Sequence, residues 1–251
     1  MLRAKIFGTI HHEKFRHRAT EILRIEALSD AVFAFSVSLL VASLEVPQTF
    51  DELLVIVYGA LPFFATVAIL FMLWYQQYVF FRHYGLNDFT TIVLNLLYVT
   101  VILFYLYPLK FLFSFLLAWW TGMDLFPKAF GKTVITPEQF PKLIILFSVG
   151  YFVIWSLLYL MHKRAIVFAK ELKLNSYEKL YTSREMRGAF LNAMIGVIAA
   201  VLPLINLAWL SGVCYFLIAP VLLFNGLFFN YQVRKIGPLP QITQVATDKS
   251  R

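Results

Sequence analysis

Six long apolar runs alternate with short polar segments along this chain, at about 27–46, 53–81, 90–118, 141–162, 188–206 and 208–230. About 20 mostly apolar residues cross the hydrocarbon core of a bilayer, so the pattern predicts six spanning helices and an all-α polytopic membrane protein. The separators have their own signals. Val46-Pro47 with the QTFDE segment predicts a turn, because the residue before proline is pushed away from helix. The second run closes on WYQQYVFF, an aromatic and amide-rich interfacial end, and RHYGLND parts it from the third. Pro108 inside the third run predicts a kink. A loop over 119–140 carries TGMDLFPK, Gly131 and Pro137, and a basic amphipathic linker is expected over 163–187. Asn206 and the LAWLSG stretch connect the last two runs. Organisation follows: a basic segment over 1–23, a six-helix domain over 24–233, and a flexible tail over 234–251 with too little apolar content to fold alone.

Composition agrees with the pattern. Of 251 residues, 60% are hydrophobic and 14% charged, with a mean hydropathy of +0.73. Soluble domains carry roughly 25% charged residues. The net charge of +8 matters through its placement. An even number of spans puts both termini on one side. Eighteen of the 22 Lys and Arg residues fall in segments that share that side, against Lys110, Lys128, Lys132 and Lys142 elsewhere. The excess of positive charge marks the cytoplasmic face, so both termini are expected there. No aromatic-basic platform lies outside the apolar runs, which argues against nucleic acid. A lone cysteine, Cys214, excludes an intrachain disulfide and reads as a small buried apolar residue. The first run is longer than the core of a secretory signal and reads as a true span. The histidines of the leader (His11, His12 and His17) have no metal-ligand spacing, and the leader reads as a solvated or lipid-facing basic segment. No HExxH, no paired intramembrane carboxylates and no nucleophile–base set is present, so no enzyme, metal site or cofactor is expected.

The first run holds the costly polar groups. Arg24, Glu26, Ser29 and Asp30 open it, and Ser36 and Ser38 lie deeper. Polar side chains at membrane depth face a partner helix or a water-filled path. Arg24 and Asp30 are six residues apart and cannot pair along one helix, while Glu26 and Asp30, four apart, would repel. Partners are therefore expected on other helices or subunits, with Trp74, Gln76, Gln77 and His83 as candidates. Further along, Phe35, Ser38 and Ala42 share one helical face that Glu45 continues, and Asp51 and Glu52 add charge beyond it. In a ring of identical subunits that face would make an apolar constriction, a hydroxyl ring and an acidic mouth. A small-residue packing face fits the same spacing equally well.

The segment R-x-x-x-L-S-D from Arg24 to Asp30, followed by AVFAFSVSLLV, resembles the R-x-x-x-F-S-D signature of the transmembrane protein 175 family of potassium-permeable channels. The second run, LPFFATVAILFMLWYQQY, is similar to that family's second helix, and Asp88, Asn95 and Pro108 fall at matching places. The resemblance covers about 24–108. It implies a homotetramer with the first helices lining a central pore and without a P-loop filter. It places Phe35 at the hydrophobic gate and Ser38 at the pore-lining hydroxyl, and the shared helical face adds Ala42 to that lining. Arg24, Ser29, Asp30 and Trp74 match its interhelical network, with Gln77 where the family often has histidine. Leu28 replaces the motif phenylalanine, and Phe35 is bulkier than the family's usual Ile or Leu.

The expected function is a potassium-permeable cation channel in a prokaryotic plasma membrane. Its permeant species would be K+ or other monovalent cations, and its partners its own copies and membrane lipids. Two other readings remain open at this point. One is a proton- or ion-coupled carrier titrating Asp30. The other is a non-conducting scaffold in which the Arg-Ser-Asp network is only packing.

Overall fold

A computed structural model describes residues 15–18, 21–42, 46–122 and 134–236. Within them the regular elements are helices: α1 Arg24–Ala42, α2 Phe50–Tyr58, α3 Ala60–Tyr84, α4 Phe89–Thr121, α5 Phe140–Val167, α6 Ser176–Val201, α7 Ala208–Cys214 and α8 Ile218–Ile236. Short 3-10 turns extend α6 through Leu202–Ile205 and join α7 to α8 through Tyr215–Leu217. Six spans long and apolar enough to cross a membrane result: Arg24–Ala42, Phe50–Tyr84, Phe89–Thr121, Phe140–Val167, Ser176–Ile205 and Ala208–Lys235.

Local chemistry sets the ends. The Thr49 hydroxyl accepts the Glu52 amide at the start of α2, and the Asp88 carboxylate accepts the Thr91 amide at the start of α4. Each satisfies a backbone donor that a helix N-terminus leaves open. Gly85 (φ 59°) and Gly122 (φ 71°) close α3 and α4 in the left-handed region, where a side chain would be strained. At α6, Asn175 and Glu178 form a reciprocal capping box. Asp88 also pairs with Arg164 of α5. Partial burial pushes its carboxyl upward, but hydrogen bonds from Thr91 and Arg164 outweigh that and hold it below the ordinary carboxylate range.

Packing is centred on α4 and α5. α4 lies against α1, α3 and α5, α5 runs along α6, and α6 packs on α8. One apolar cluster joins Phe33 and Leu40 of α1 with Leu70 and Leu73 of α3, Tyr98, Ile102 and Leu106 of α4, and Ile154 and Leu158 of α5. A second, at the end where α3 meets α4 and α5 meets α6, gathers Phe15, Ile25, Phe80, Phe81, Tyr84 and Met161.

Several boundaries differ from the hydropathy pattern. Most of the expected 163–187 linker is helix: α5 continues to Val167 and α6 begins at Ser176, leaving a turn over 168–175. The opening turns of α6 bury Tyr177, Glu178 and Thr182, so a polar sequence there belongs to an inward-facing helix rather than a loop. LAWLSG is mostly helical, within α7, and α8 runs past the expected tail boundary at 234. Of the leader expected to be solvated or lipid-facing, Arg16 and His17 are exposed, but Phe15 is 2% exposed and docks on the bundle. Residues 1–14 and 19–20 of the leader and the 237–251 part of the tail lie outside the described residues.

Candidate functional site

α1 has two faces of different character. Ile25, Glu26, Ser29, Phe33, Ser36 and Leu40 are buried. Ala31, Ala34, Phe35, Ser38, Val41 and Ala42 are exposed on the single chain, Phe35 at 57%. At about 100° per residue, Phe35, Ser38 and Ala42 fall within about 60° of one another, and Ser38 lies almost opposite the buried stripe. The two serines are thereby separated in role. The Ser36 hydroxyl faces inward and donates to the Val32 carbonyl at 2.7 Å. The Ser38 hydroxyl donates to the Ala34 carbonyl at 3.2 Å on the exposed side. A hydroxyl whose proton is engaged in this way still offers its oxygen lone pairs outward. A cation can be met by that oxygen.

The buried side of α1 carries the polar network. The Gln77 side-chain amide donates to the Asn95 carbonyl at 2.9 Å, and the Asn95 amide donates to the Ser29 hydroxyl at 2.8 Å. That hydroxyl donates onward to the Ile25 carbonyl at 2.8 Å. One chain of bonds thus crosses α3, α4 and α1. Beside it the Trp74 indole donates to the Asp30 carboxylate at 2.7 Å. Glu26 is buried, accepts the Leu23 amide at 3.2 Å and faces Arg82 at 3.4 Å. Glu26 and Asp30 thus have different partners on α3, Arg82 and Trp74. The Tyr98 hydroxyl donates to the Leu73 carbonyl at 2.9 Å and ties α4 to α3 at the same level.

Of the residues expected in this network, Ser29, Asp30, Trp74 and Gln77 are brought together. Arg24 is exposed and stands apart from it. Glu45, expected at an acidic mouth, lies outside the described residues. The buried Glu26–Arg82 pair was not anticipated from spacing, since its members are 56 positions apart.

Comparison with known proteins gives this geometry a context. Residues 24–106 match the family described as "Endosomal/lysosomal potassium channel TMEM175". A protein of Marivirga tractuosa named "Potassium channel" is 34% identical over 247 residues, covering 92% of this chain and 98% of that protein. The chain belongs to the TMEM175 family. A point variant of the potassium channel MtTMEM175, crystallised with a nanobody–MBP fusion, has a similar fold. Its TM-score is 0.77 at 34% identity, over 86% of this chain and 97% of that one. A lysosomal potassium-selective channel TMEM175 homolog from Chamaesiphon minutus shares the fold at a TM-score of 0.54 and 22% identity, over 80% and 96% of the two chains.

The TMEM175 match begins at Arg24 and ends in the middle of α4, so it takes in every member of the Gln77–Asn95–Ser29 chain and the Trp74–Asp30 bond. As a TMEM175 member, the protein is an all-helical, multi-pass membrane protein and not an enzyme.

Proposed function

We propose that this protein is a homotetrameric, potassium-permeable cation channel whose central pore is lined by α1. The observation that carries the reading is the division of α1. One face is fixed to α3 and α4 by buried hydrogen bonds, and the opposite face, with Phe35, Ser38 and Ala42, is left uncovered. A single apolar helix cannot enclose an aqueous path, whereas four copies around an axis can. The relatives named as potassium channels support the choice of ion.

In this arrangement the Phe35 rings form a hydrophobic constriction that gates by dewetting. The Ser38 hydroxyl oxygens replace part of the ion's hydration, Ala42 leaves the lumen wide, and Glu45 makes an outer acidic mouth. K+ and other monovalent cations permeate without a P-loop filter. Both termini face the cytoplasm, where the Lys and Arg residues concentrate, and the chain resides in a prokaryotic plasma membrane among its lipids. Arg24, exposed at the basic end of α1, is placed to meet a neighbouring subunit or lipid. The carrier reading has less support, because the Asp30 carboxylate is engaged by the Trp74 indole.

Liposome flux tests the proposal. Purified protein is expected to pass potassium without saturating at low concentration, and Phe35→Ala is expected to raise the flux. Absence of flux, or flux indifferent to both Phe35 and Ser38 substitutions, would refute it.

A further inference from the structure

A short strap precedes α1 and docks on a different part of the molecule. Phe15 stacks on His83 with ring centroids 4.0 Å apart and meets Tyr84 and Tyr181 edge-on at 5.7 Å and 5.3 Å. It therefore plugs the corner between α3 and α6. Next to it, Arg16 and Arg18 converge on Glu178 of α6, whose side chain is 0% exposed. Glu178 Oε1 accepts the Arg16 amide at 3.0 Å and Nε at 3.2 Å. Its Oε2 accepts Arg16 Nη2 at 3.0 Å, Arg18 Nη2 at 2.7 Å and the Asn175 amide at 2.9 Å. Arg18 reaches further, donating Nε to the Leu172 carbonyl and Nη1 to the His83 carbonyl, while its amide bonds the Arg82 carbonyl at 3.2 Å.

Buried carboxylates are costly unless their lone pairs are satisfied. Here two guanidinium groups from a segment outside the helices supply most of that satisfaction, far in sequence from Glu178. The same segment enters α1 a few residues later. Ile25 in the first turn of α1 shares one apolar cluster with Phe15, Phe80, Phe81 and Tyr84. α1 itself packs on α3 and α4. The strap is thus a physical connection running from α6 to the first turn of α1.

We propose that Glu178 is a positioning residue for α1: by holding the Phe15–Arg18 strap, it fixes the inner end of that helix and so the setting of its Phe35 face. The inference rests on the reading of α1 as the pore helix, and it adds an element, α6, that takes no part in lining the pore. Among the described residues, side-chain hydrogen bonds and ion pairs tie α1 to its neighbours in its first two turns, at Glu26, Ser29 and Asp30. Further along, Phe33 and Leu40 pack into the apolar cluster. A helix anchored mainly at one end is sensitive to how that end is fixed. Loosening the strap frees α1 to tilt, and Phe35 leaves the axis more often.

The test compares the full-length protein with Glu178→Gln, Phe15→Ala and the double variant, each checked for native oligomer size. Phe15→Ala disturbs the same strap without leaving a buried charge, so the question survives if Glu178→Gln fails to assemble. Backbone hydrogen exchange is followed across residues 24–30 and, as an internal control, across α5. Each variant is expected to speed exchange several-fold over 24–30 with α5 unchanged, to raise potassium flux several-fold, and to gain nothing further in the double variant. Unchanged exchange over 24–30, equal flux in assembled variants, or effects that add in the double variant would overturn the proposal. The exchange readout does not depend on conduction, so a protein that passes no potassium would refute the channel reading while still testing the strap.

Discussion

Asn95 is the residue on which three helices turn. It is 0% exposed, and it spends its carbonyl on Gln77 of α3 and its amide on Ser29 of α1. Replacing it with alanine takes the acceptor from the buried Gln77 amide, at a cost of about 1–3 kcal/mol, and removes the donor to the Ser29 hydroxyl, which keeps its own bond to the Ile25 carbonyl. Asn95→Ala is therefore expected to lower the melting temperature measured in detergent, and more than Ser29→Ala does. The Ser29→Ala and Asn95→Ala effects should also couple in a double-mutant cycle, by about 0.5–3 kcal/mol. Additive losses would mean that the two side chains do not depend on each other. Sequence reasoning reached part of this scale. Ser29, Asp30, Trp74 and Gln77 could be singled out because polar groups within apolar runs need partners, and Asn95 came into view only through resemblance. Glu178 could not be found that way. It sits in a polar stretch where charge is unremarkable in sequence, and its partners Arg16 and Arg18 are 162 and 160 positions away.

Hydropathy identified all six spans at the scale of elements, since length and apolarity are what the bilayer selects. It failed where a helix carries polar residues on its inner face. α6 begins at Ser176 rather than near 188 because Tyr177, Glu178 and Thr182 point into the protein. Close packing between helices was equally hidden. A Cβ at Gly150 of α5 would collide with two ring carbons of Tyr105 on α4, a residue whose hydroxyl donates to the Phe147 carbonyl at 2.9 Å. Gly150→Ala must displace that ring and break its bond, and overpacking of this kind costs about 1–3 kcal/mol. A reduced melting temperature with retained oligomer size is the expected outcome, and a variant as stable as the native protein would show that α4 and α5 approach less closely. At Gly196 of α6 an added Cβ would stand 3.1 Å from the Phe152 backbone of α5, another close approach between neighbouring helices.

For the whole molecule, the arrangement separates what holds α1 from what α1 offers. Its anchoring partners come from α3 and α4, with the strap joining its start to α6, while the surface with Phe35, Ser38 and Ala42 is uncovered in the single chain. The sequence carried the composition of that surface but not the reason for its orientation, which depends on which neighbours bury Ser36 and Ser29. The two serines of α1 give the most direct test of whether the uncovered face lines a pore. Ser36→Cys and Ser38→Cys are introduced separately with Cys214→Ser, and a charged thiol reagent is applied to both sides of liposomes holding the protein. Modification at position 38 is predicted to stop potassium flux, while position 36, buried against the bundle, stays unmodified and conducting. Flux that persists after position 38 is fully modified, or block at position 36 instead, would contradict the account.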